Sequence, residues 1–454
     1  MKSFKSIFPF DQTEIAAYTI MNDAAIDMAL STAEKAFPYW SQSSFKERGD
    51  VLKHVANLLL ERKEVLAKLI TDEMGKVLKE AIAEVEKCAA GCNFYAENAE
   101  QFLEDEIIKT GYKKSFVAFQ PIGAVFAIMP WNFPLWQVFR FAAPTLMAGN
   151  VALLKHAPNV CGCSLAIQKL FEDAGADAGV FQSLIVDTDV TEKILSSNIV
   201  QGVSLTGSEK AGSSVAGIAS TQIKKSVLEL GGSDAFIVLD DADIEKAATF
   251  AVNSRMQNAG QSCIAAKRFL VVEKILDDFT DAVKANIKKL KQGNPLQDDI
   301  TTGPMARLDL AEKLHAQVKQ SVAKGAEIIM GGNVDGCNYE PTLLMNVQPG
   351  MPAFDEETFG PVFSMIKVKN EEEAINLANA SRYGLGGNIW TNDIDKGITL
   401  AKKINSGSVF INSMVKSEPA LPFGGVKKSG YGRELSRHGI LEFVNVKTIT
   451  VTEV

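Results

Sequence analysis

Eight short apolar runs punctuate this chain, and they constrain its fold more than any other feature. They lie at residues 124–128, 151–154, 203–205, 235–239, 269–272, 362–368, 388–390 and 408–411, and are rich in Val, Ile and Phe. Helix-length segments separate most of them. Strands buried on both faces lack the in–out alternation of a half-exposed sheet, because crossover helices cover both sides of a parallel one. The class is therefore α/β. The first hundred residues read as helices: Leu52, Val55, Leu58, Leu59, Leu66 and Ile70 recur at spacings of three and four within 44–76, giving one apolar face. A chain of 454 residues is too long for one simple core, and two or three units are expected. The Gly231-Gly232 pair within 230–235 marks one junction. The stretch 419–432, with two prolines and four glycines, reads as a connecting loop at another. Residues 444–451 alternate apolar and polar like a strand. An open strand edge at a chain end has to be paired or protected, so an oligomer is expected.

Several classes of function are disfavoured. The net charge of −8 argues against nucleic acid as a partner. The longest apolar stretch, 122–136, is interrupted by Pro130 and Pro134 and is too short to span a bilayer, so no membrane association is expected. The N-terminus runs Met-Lys-Ser-Phe-Lys-Ser-Ile-Phe-Pro-Phe-Asp without the apolar core of a signal peptide, which points to the cytoplasm. Six cysteines are too few for a disulfide scaffold. The four histidines are scattered and Cys161-Gly-Cys163 lacks a partner cluster, so no metal is expected.

The chemistry centres on Cys263, in Asn258-Ala-Gly-Gln-Ser-Cys-Ile264, and on Glu229, in Glu229-Leu-Gly-Gly-Ser-Asp-Ala235. A thiol and a carboxylate, each beside glycines that permit close approach, suggest covalent catalysis with a separate base. A free cysteine is more often a small buried hydrophobe. Here Gly260, Gln261 and Ser262 suit a loop with exposed N–H groups, which would lower the thiol pKa, and both readings stay open. Asn132, in Pro130-Trp-Asn-Phe-Pro134, either caps the following helix or donates to a developing oxyanion; alone, the cap is the simpler reading. Thr206-Gly207-Ser208 joins a strand to a helix and places free N–H groups where a pyrophosphate could sit. The three-glycine dinucleotide fingerprint is absent, and a plain helix cap by Ser208 is the alternative. Lys155 falls at the carboxyl end of a strand, where α/β proteins bind ligands. Glu357 and Phe359 precede another strand. A surface turn is the plain alternative for both of these positions.

Together these segments resemble the aldehyde dehydrogenase superfamily over essentially the whole chain. The motifs, in order, are Pro130-Trp-Asn-Phe-Pro134, Leu154-Lys155, Leu205-Thr-Gly-Ser208, Glu229-Leu-Gly-Gly232, Gly260-Gln-Ser-Cys263, Glu357-Thr-Phe-Gly-Pro361 and Pro422-Phe-Gly-Gly425. The resemblance implies a modified Rossmann-type cofactor domain (1–102 and 122–231), a catalytic domain (232–425) and a β oligomerisation arm (103–121 and 440–454), assembled as a homodimer or homotetramer. It implies that Cys263 attacks the aldehyde and that Asn132 and the Cys263 N–H hold the oxyanion. Glu229 would then activate water against the thioester. Glu357 and Phe359 would position the nicotinamide ribose and ring, Lys155 the adenosine ribose, and Thr206, Gly207 and Ser208 the pyrophosphate, with Trp131 nearby. A retained Glu229 favours hydrolysis to a free acid over transfer to coenzyme A.

Cofactor and substrate follow from finer points of the same resemblance. NAD-preferring members often carry Glu three residues after the lysine; Pro158 stands there, so NAD or NADP is expected. The stretch 155–160 is most similar to bacterial succinate-semialdehyde dehydrogenases. Arg140 and Ser417 fall where those enzymes hold the substrate carboxylate. Gln257 replaces a second arginine, with Arg255 two positions earlier. The expected reaction is oxidation of succinate semialdehyde to succinate, with other small aliphatic aldehydes as the alternative. A thiol hydrolase without redox chemistry and a silent binding protein are rival readings. The turn 206–208 and the Glu357–Phe359 pair argue against the first, and intact Cys263, Glu229 and Asn132 against the second.

Overall fold

A computed structural model describes residues 2–453. Its first element departs from the all-helical expectation. Strands Ser3–Ile7 and Glu14–Thr19 form an antiparallel hairpin. Ser6, fully buried, donates to Glu73 at 2.5 Å, and Tyr18 reaches the same carboxylate. This anchor is a long-range contact that no local pattern announces.

Four helices follow, Asp23–Gln42, Phe45–Glu61, Lys63–Met74 and Leu78–Phe102. The second starts where it does because Ser44 and Glu47 cap each other: the Ser44 hydroxyl accepts from the Glu47 N–H, and the Glu47 carboxylate accepts from the Ser44 N–H at 2.7 Å. The single helical span expected over 44–76 is divided at Arg62, whose guanidinium pairs with Asp173 at 2.6 Å. Leu52, Val55, Leu58, Leu59, Leu66 and Ile70 are all buried, as their spacing requires.

All eight apolar runs fall on strands, and they divide between two sheets. The first has the order Gly430–Tyr431, Lys225–Glu229, Val200–Thr206, Ala124–Met129, Val151–His156, Phe181–Ser183. It is parallel except for its first strand. The second runs Glu327–Met330, Thr342–Met345, Val362–Val368, Ala266–Val272, Asp234–Val238, Gly387–Trp390, Phe410–Ile411, parallel except for Glu327–Met330. Each sheet has its own apolar core. Gly231-Gly232 carries the chain from one sheet to the other.

Residues 419–432 do more than connect. Gly430–Tyr431 returns to the first sheet beside Lys225–Glu229, with Gly430 opposite Glu229. Strand Val444–Val451 pairs along its length with Lys114–Pro121, which also pairs with Glu106–Ile107. Val446 in the terminal strand and Ile107 at the far side are well exposed. Among the described residues no helix is long and apolar enough to cross a membrane.

Candidate active site

The two sheets present opposite ends to each other. From the first sheet come carboxyl-end groups: Pro130–Pro134 after Ala124–Met129, Thr206–Ser208 after Val200–Thr206, and Glu229 closing its own strand. From the second come groups leading into strands: Cys263 before Ala266–Val272 and Glu357–Pro361 before Val362–Val368. They meet at a cleft of about 630 Å³, onto which Asn132, Ser208, Glu229, Cys263, Glu357 and Phe359 all open. Residues spread over more than 220 positions of sequence thus share one cavity.

The loop before Cys263 is held under strain. Asn258 and Ala259 both adopt left-handed backbone (φ 54° and 51°), which costs roughly 1–3 kcal/mol per non-glycine residue. The Asn258 amide donates to the Asn132 carbonyl at 2.7 Å and to the Gln261 carbonyl at 3.2 Å; Gln261 donates back to Asn258 and accepts from the Ala306 N–H. Arg255 fastens the loop to its neighbour: its terminal nitrogens donate to the carbonyls of Gly260, Thr358, Gly360 and Ala266. Arg255 is therefore a clamp between the Cys263 and Phe359 loops and does not replace the arginine absent at Gln257. Gly260 (φ 77°) lies where a Cβ would stand 2.4 Å from the Gly360 carbonyl, too close for any side chain.

Loop exposure does not lower the Cys263 pKa, contrary to the sequence argument. The thiol is pushed up to about 12, mainly by burial; Arg140 and Lys267 oppose this without offsetting it. The Cys263 carbonyl is fixed by Lys267 at 2.8 Å, and Lys267 also stands 3.5 Å from Glu357. Deprotonation thus needs a base or a nearby positive charge, since an ionised thiolate is costly in this setting.

Asn132 does not cap the helix Trp136–Met147. Glu84, from Leu78–Phe102, accepts from the Leu135 and Trp136 N–H groups, at 2.9 Å each. With that task filled, one Asn132 amide hydrogen goes to the Gln261 carbonyl at 3.1 Å and the other has no acceptor among the described residues.

Glu229 is 2% exposed, and neither carboxylate oxygen has a hydrogen-bond partner among the described residues. Burial, and next the neighbouring Glu434 carboxyl, hold its pKa well above the usual carboxylate range, against the pull of Arg140 and Arg433. Gly424 passes so near that a Cβ there would lie 2.6 Å from Glu229 Oε1. An orphaned buried carboxyl in a cleft, its proton held more tightly than usual by burial, is a candidate base.

Several groups in the cleft suit a dinucleotide. Ser208 caps the helix Glu209–Thr221, accepting from the Ala211 N–H at 3.3 Å, and the open N-terminus with Lys210 and Lys313 forms a positive end. Trp131 and Phe359 meet edge to face at 5.8 Å. One Glu357 oxygen accepts from the Gly232 N–H at 3.0 Å; the other stands where a Cβ at Gly231 would lie 2.4 Å away. Thr206 turns its hydroxyl toward Arg140 at 3.4 Å, so only its main chain and that of Gly207 serve the turn. Lys155 is not among the residues lining the cleft; it is 5% exposed, its ammonium makes no hydrogen bond among the described residues, and burial lowers its pKa.

The aldehyde dehydrogenase family model matches residues 1–449. The chain belongs to that family. A succinate-semialdehyde dehydrogenase [NADP(+)] of Mycobacterium tuberculosis is 45% identical, covering 98% of this chain and 99% of the relative. A protein of Synechocystis sp. named as a probable enzyme of the same activity is 47% identical over 98% of this chain and 99% of its own length. The crystal structure of a succinic semialdehyde dehydrogenase from Streptococcus pyogenes in complex with NADP+ superposes with a TM-score of 0.97 at 36% identity, covering 99% of this chain and all of the other. This chain is accordingly an NAD(P)-dependent aldehyde dehydrogenase with an α/β fold.

Arg140, Ser417 and Gln257, the residues expected to meet this aldehyde dehydrogenase's substrate, are not among those lining the cleft. Arg140 is 2% exposed, ion-paired with Glu434 and stacked over Phe423, so its charge is already matched. Ser417 Oγ accepts from Lys87 at 2.8 Å and from the Trp136 indole at 2.9 Å. Gln257 is half-buried at the end of the helix Ile244–Met256; the next N–H, of Asn258, is bound by Glu80. Sequence reasoning missed Glu80, Glu84 and Lys87, which recur at helical spacing along Leu78–Phe102 on its inward face, and Glu434 and Lys267. The available signal was charge on the buried face of an amphipathic helix.

Proposed function

We propose that the chain oxidises succinate semialdehyde to succinate, with NADP as the preferred hydride acceptor. The observation that carries this reading is an unpartnered buried carboxyl, Glu229, sharing a cleft with Cys263 in a chain 45–47% identical to proteins named for that activity. Cys263 adds to the aldehyde carbon, and the Asn132 amide and Cys263 N–H stabilise the oxygen as it gains charge; one such donor is worth on the order of 3 kcal/mol. NADP, held by Trp131, the turn 206–208, Glu357 and Phe359, would supply the acceptor for the hydride lost from that carbon. Glu229 then takes a proton from water as it attacks the thioester, releasing the acid and the free thiol.

Lys155, buried with no partner for its ammonium among the described residues, suits a phosphate better than a neutral hydroxyl, and Pro158 supplies no acid to repel one. Trp131, Thr206, Gly207, Ser208, Glu357 and Phe359 complete the cofactor site, and Arg140, Ser417 and Gln257 the substrate side. We assign residues 1–102 and 122–231 to cofactor binding, 232–425 to catalysis, and 103–121 with 440–454 to an arm that joins copies in a cytoplasmic homodimer or homotetramer. The unpaired edge of Val444–Val451 supports that arm.

The test is steady-state NAD(P)H formation from succinate semialdehyde, glutaraldehyde and simple aliphatic aldehydes, with both cofactors. A higher kcat/KM for succinate semialdehyde with NADP is expected. Equal or better turnover of uncharged aldehydes would overturn the substrate assignment, and a preference for NAD the cofactor assignment.

A further inference from the structure

Carboxylate recognition in this chain cannot rest on arginines alone. Gln257 is neutral, the terminal nitrogens of Arg255 are taken by carbonyls, and Arg140 is paired with Glu434. A substrate carboxylate leaving water needs a cation that is not already neutralised.

Lys87 has that property. It projects from Leu78–Phe102, one turn beyond Glu84 and two beyond Glu80, and those two residues hold the Trp136 and Asn258 segments in place. It is half-buried, yet no carboxylate lies within 4 Å of its ammonium among the described residues. Its contacts are a neutral hydroxyl, Ser417, at 2.8 Å, and the Trp136 ring, 4.3 Å from its ammonium to the centroid. Two of its three N–H groups remain free.

Ser417 sharpens the geometry. Its oxygen already accepts from Lys87 and Trp136, and its own hydrogen meets no acceptor among the described residues. With two donors on its oxygen, the hydroxyl keeps its own O–H free to donate. We propose that Lys87 and Ser417 form the anion site for the remote carboxylate of the substrate, Lys87 supplying the charge that Gln257 lacks and Trp136 fixing both. Arg140, whose field reaches Lys87, adds long-range attraction while staying bound to Glu434. The proposal rests on the succinate-semialdehyde reading for its natural occupant.

The experiment compares wild type with Lys87→Met, Lys87→Arg and Ser417→Ala on succinate semialdehyde and on butanal, with succinate as a competitive inhibitor against butanal. Lys87→Met should lower the ratio of kcat/KM for succinate semialdehyde to that for butanal about tenfold or more, through KM, because a hydrogen bond to a charged group is lost. Lys87→Arg should restore most of the ratio, and Ser417→Ala should lower it by less. Equal losses on both aldehydes, or an unchanged ratio, would show Lys87 to be structural and overturn the site. A wild-type ratio near one would count against the substrate reading instead; the anion site would then still stand if succinate inhibits wild type and Lys87→Met weakens that inhibition about tenfold. Absence of succinate inhibition in wild type would overturn it.

Discussion

Arg255 and Glu229 are equally buried and oppositely treated by their surroundings. Arg255 gives its terminal nitrogens to four carbonyls, and its work is to tie the Cys263 loop to the Phe359 loop. Glu229 has nothing on either oxygen. Burial costs both groups, but only the arginine recovers that cost through hydrogen bonds. The contrast separates scaffold from chemistry: a buried charge held by several hydrogen bonds stabilises the fold, and a bare one is available to react.

The largest effects should follow from the bare side. Cys263→Ala should abolish aldehyde oxidation while circular dichroism stays native. Glu229→Gln should slow steady-state turnover on the order of 10²–10⁴-fold, the usual contribution of a positioned base, and still give an initial burst of reduced cofactor. A burst lost in parallel with turnover would show that Glu229 also acts before the hydride leaves. Asn132→Ala should lower kcat by about 10²–10³-fold in single-turnover oxidation, as expected for one oxyanion donor.

The hydrogen-bonded side should answer in stability instead. Arg255→Met leaves four carbonyls without their donor and should cost about 3 kcal/mol or more in denaturant unfolding. If it unfolds normally but loses activity as completely as Cys263→Ala, the division between scaffold and chemistry is wrong.

Much of this arrangement was legible in the chain, and the failures share a cause. All eight apolar runs fall on strands because a doubly covered strand writes its burial into consecutive residues. Glycine-flanked Cys263 and Glu229 open on one cleft with Asn132. What could not be read depends on partners far away in sequence. The hairpin Ser3–Ile7 with Glu14–Thr19 is anchored by Glu73. The helix cap that Asn132 alone would suggest is supplied by Glu84. The sign of the Cys263 shift was misjudged because local glycines suggest exposure, whereas burial by both sheets decides it. Arg140 looked like a free cation until Glu434, nearly three hundred residues on, was seen beside it.

The smallest effect tests the same contrast through pH. Glu229 has a folded-state pKa raised above its unfolded value, chiefly by burial and then by Glu434. Below the unfolded pKa the carboxyl is protonated in both states, so it carries no penalty. As pH climbs from there toward the folded pKa, the unfolded chain ionises and the folded chain does not. Wild type then loses stability, by up to about 1.4 kcal/mol per pH unit in that window. Glutamine cannot ionise. Glu229→Gln should therefore match wild type near pH 4 and become the more stable protein toward pH 8, read as the difference in urea midpoint. The slower enzyme would be the sturdier one, as expected where a site is kept reactive at the expense of stability. A midpoint difference independent of pH would mean that Glu229 finds a partner in solution and is not the bare carboxyl on which the contrast depends.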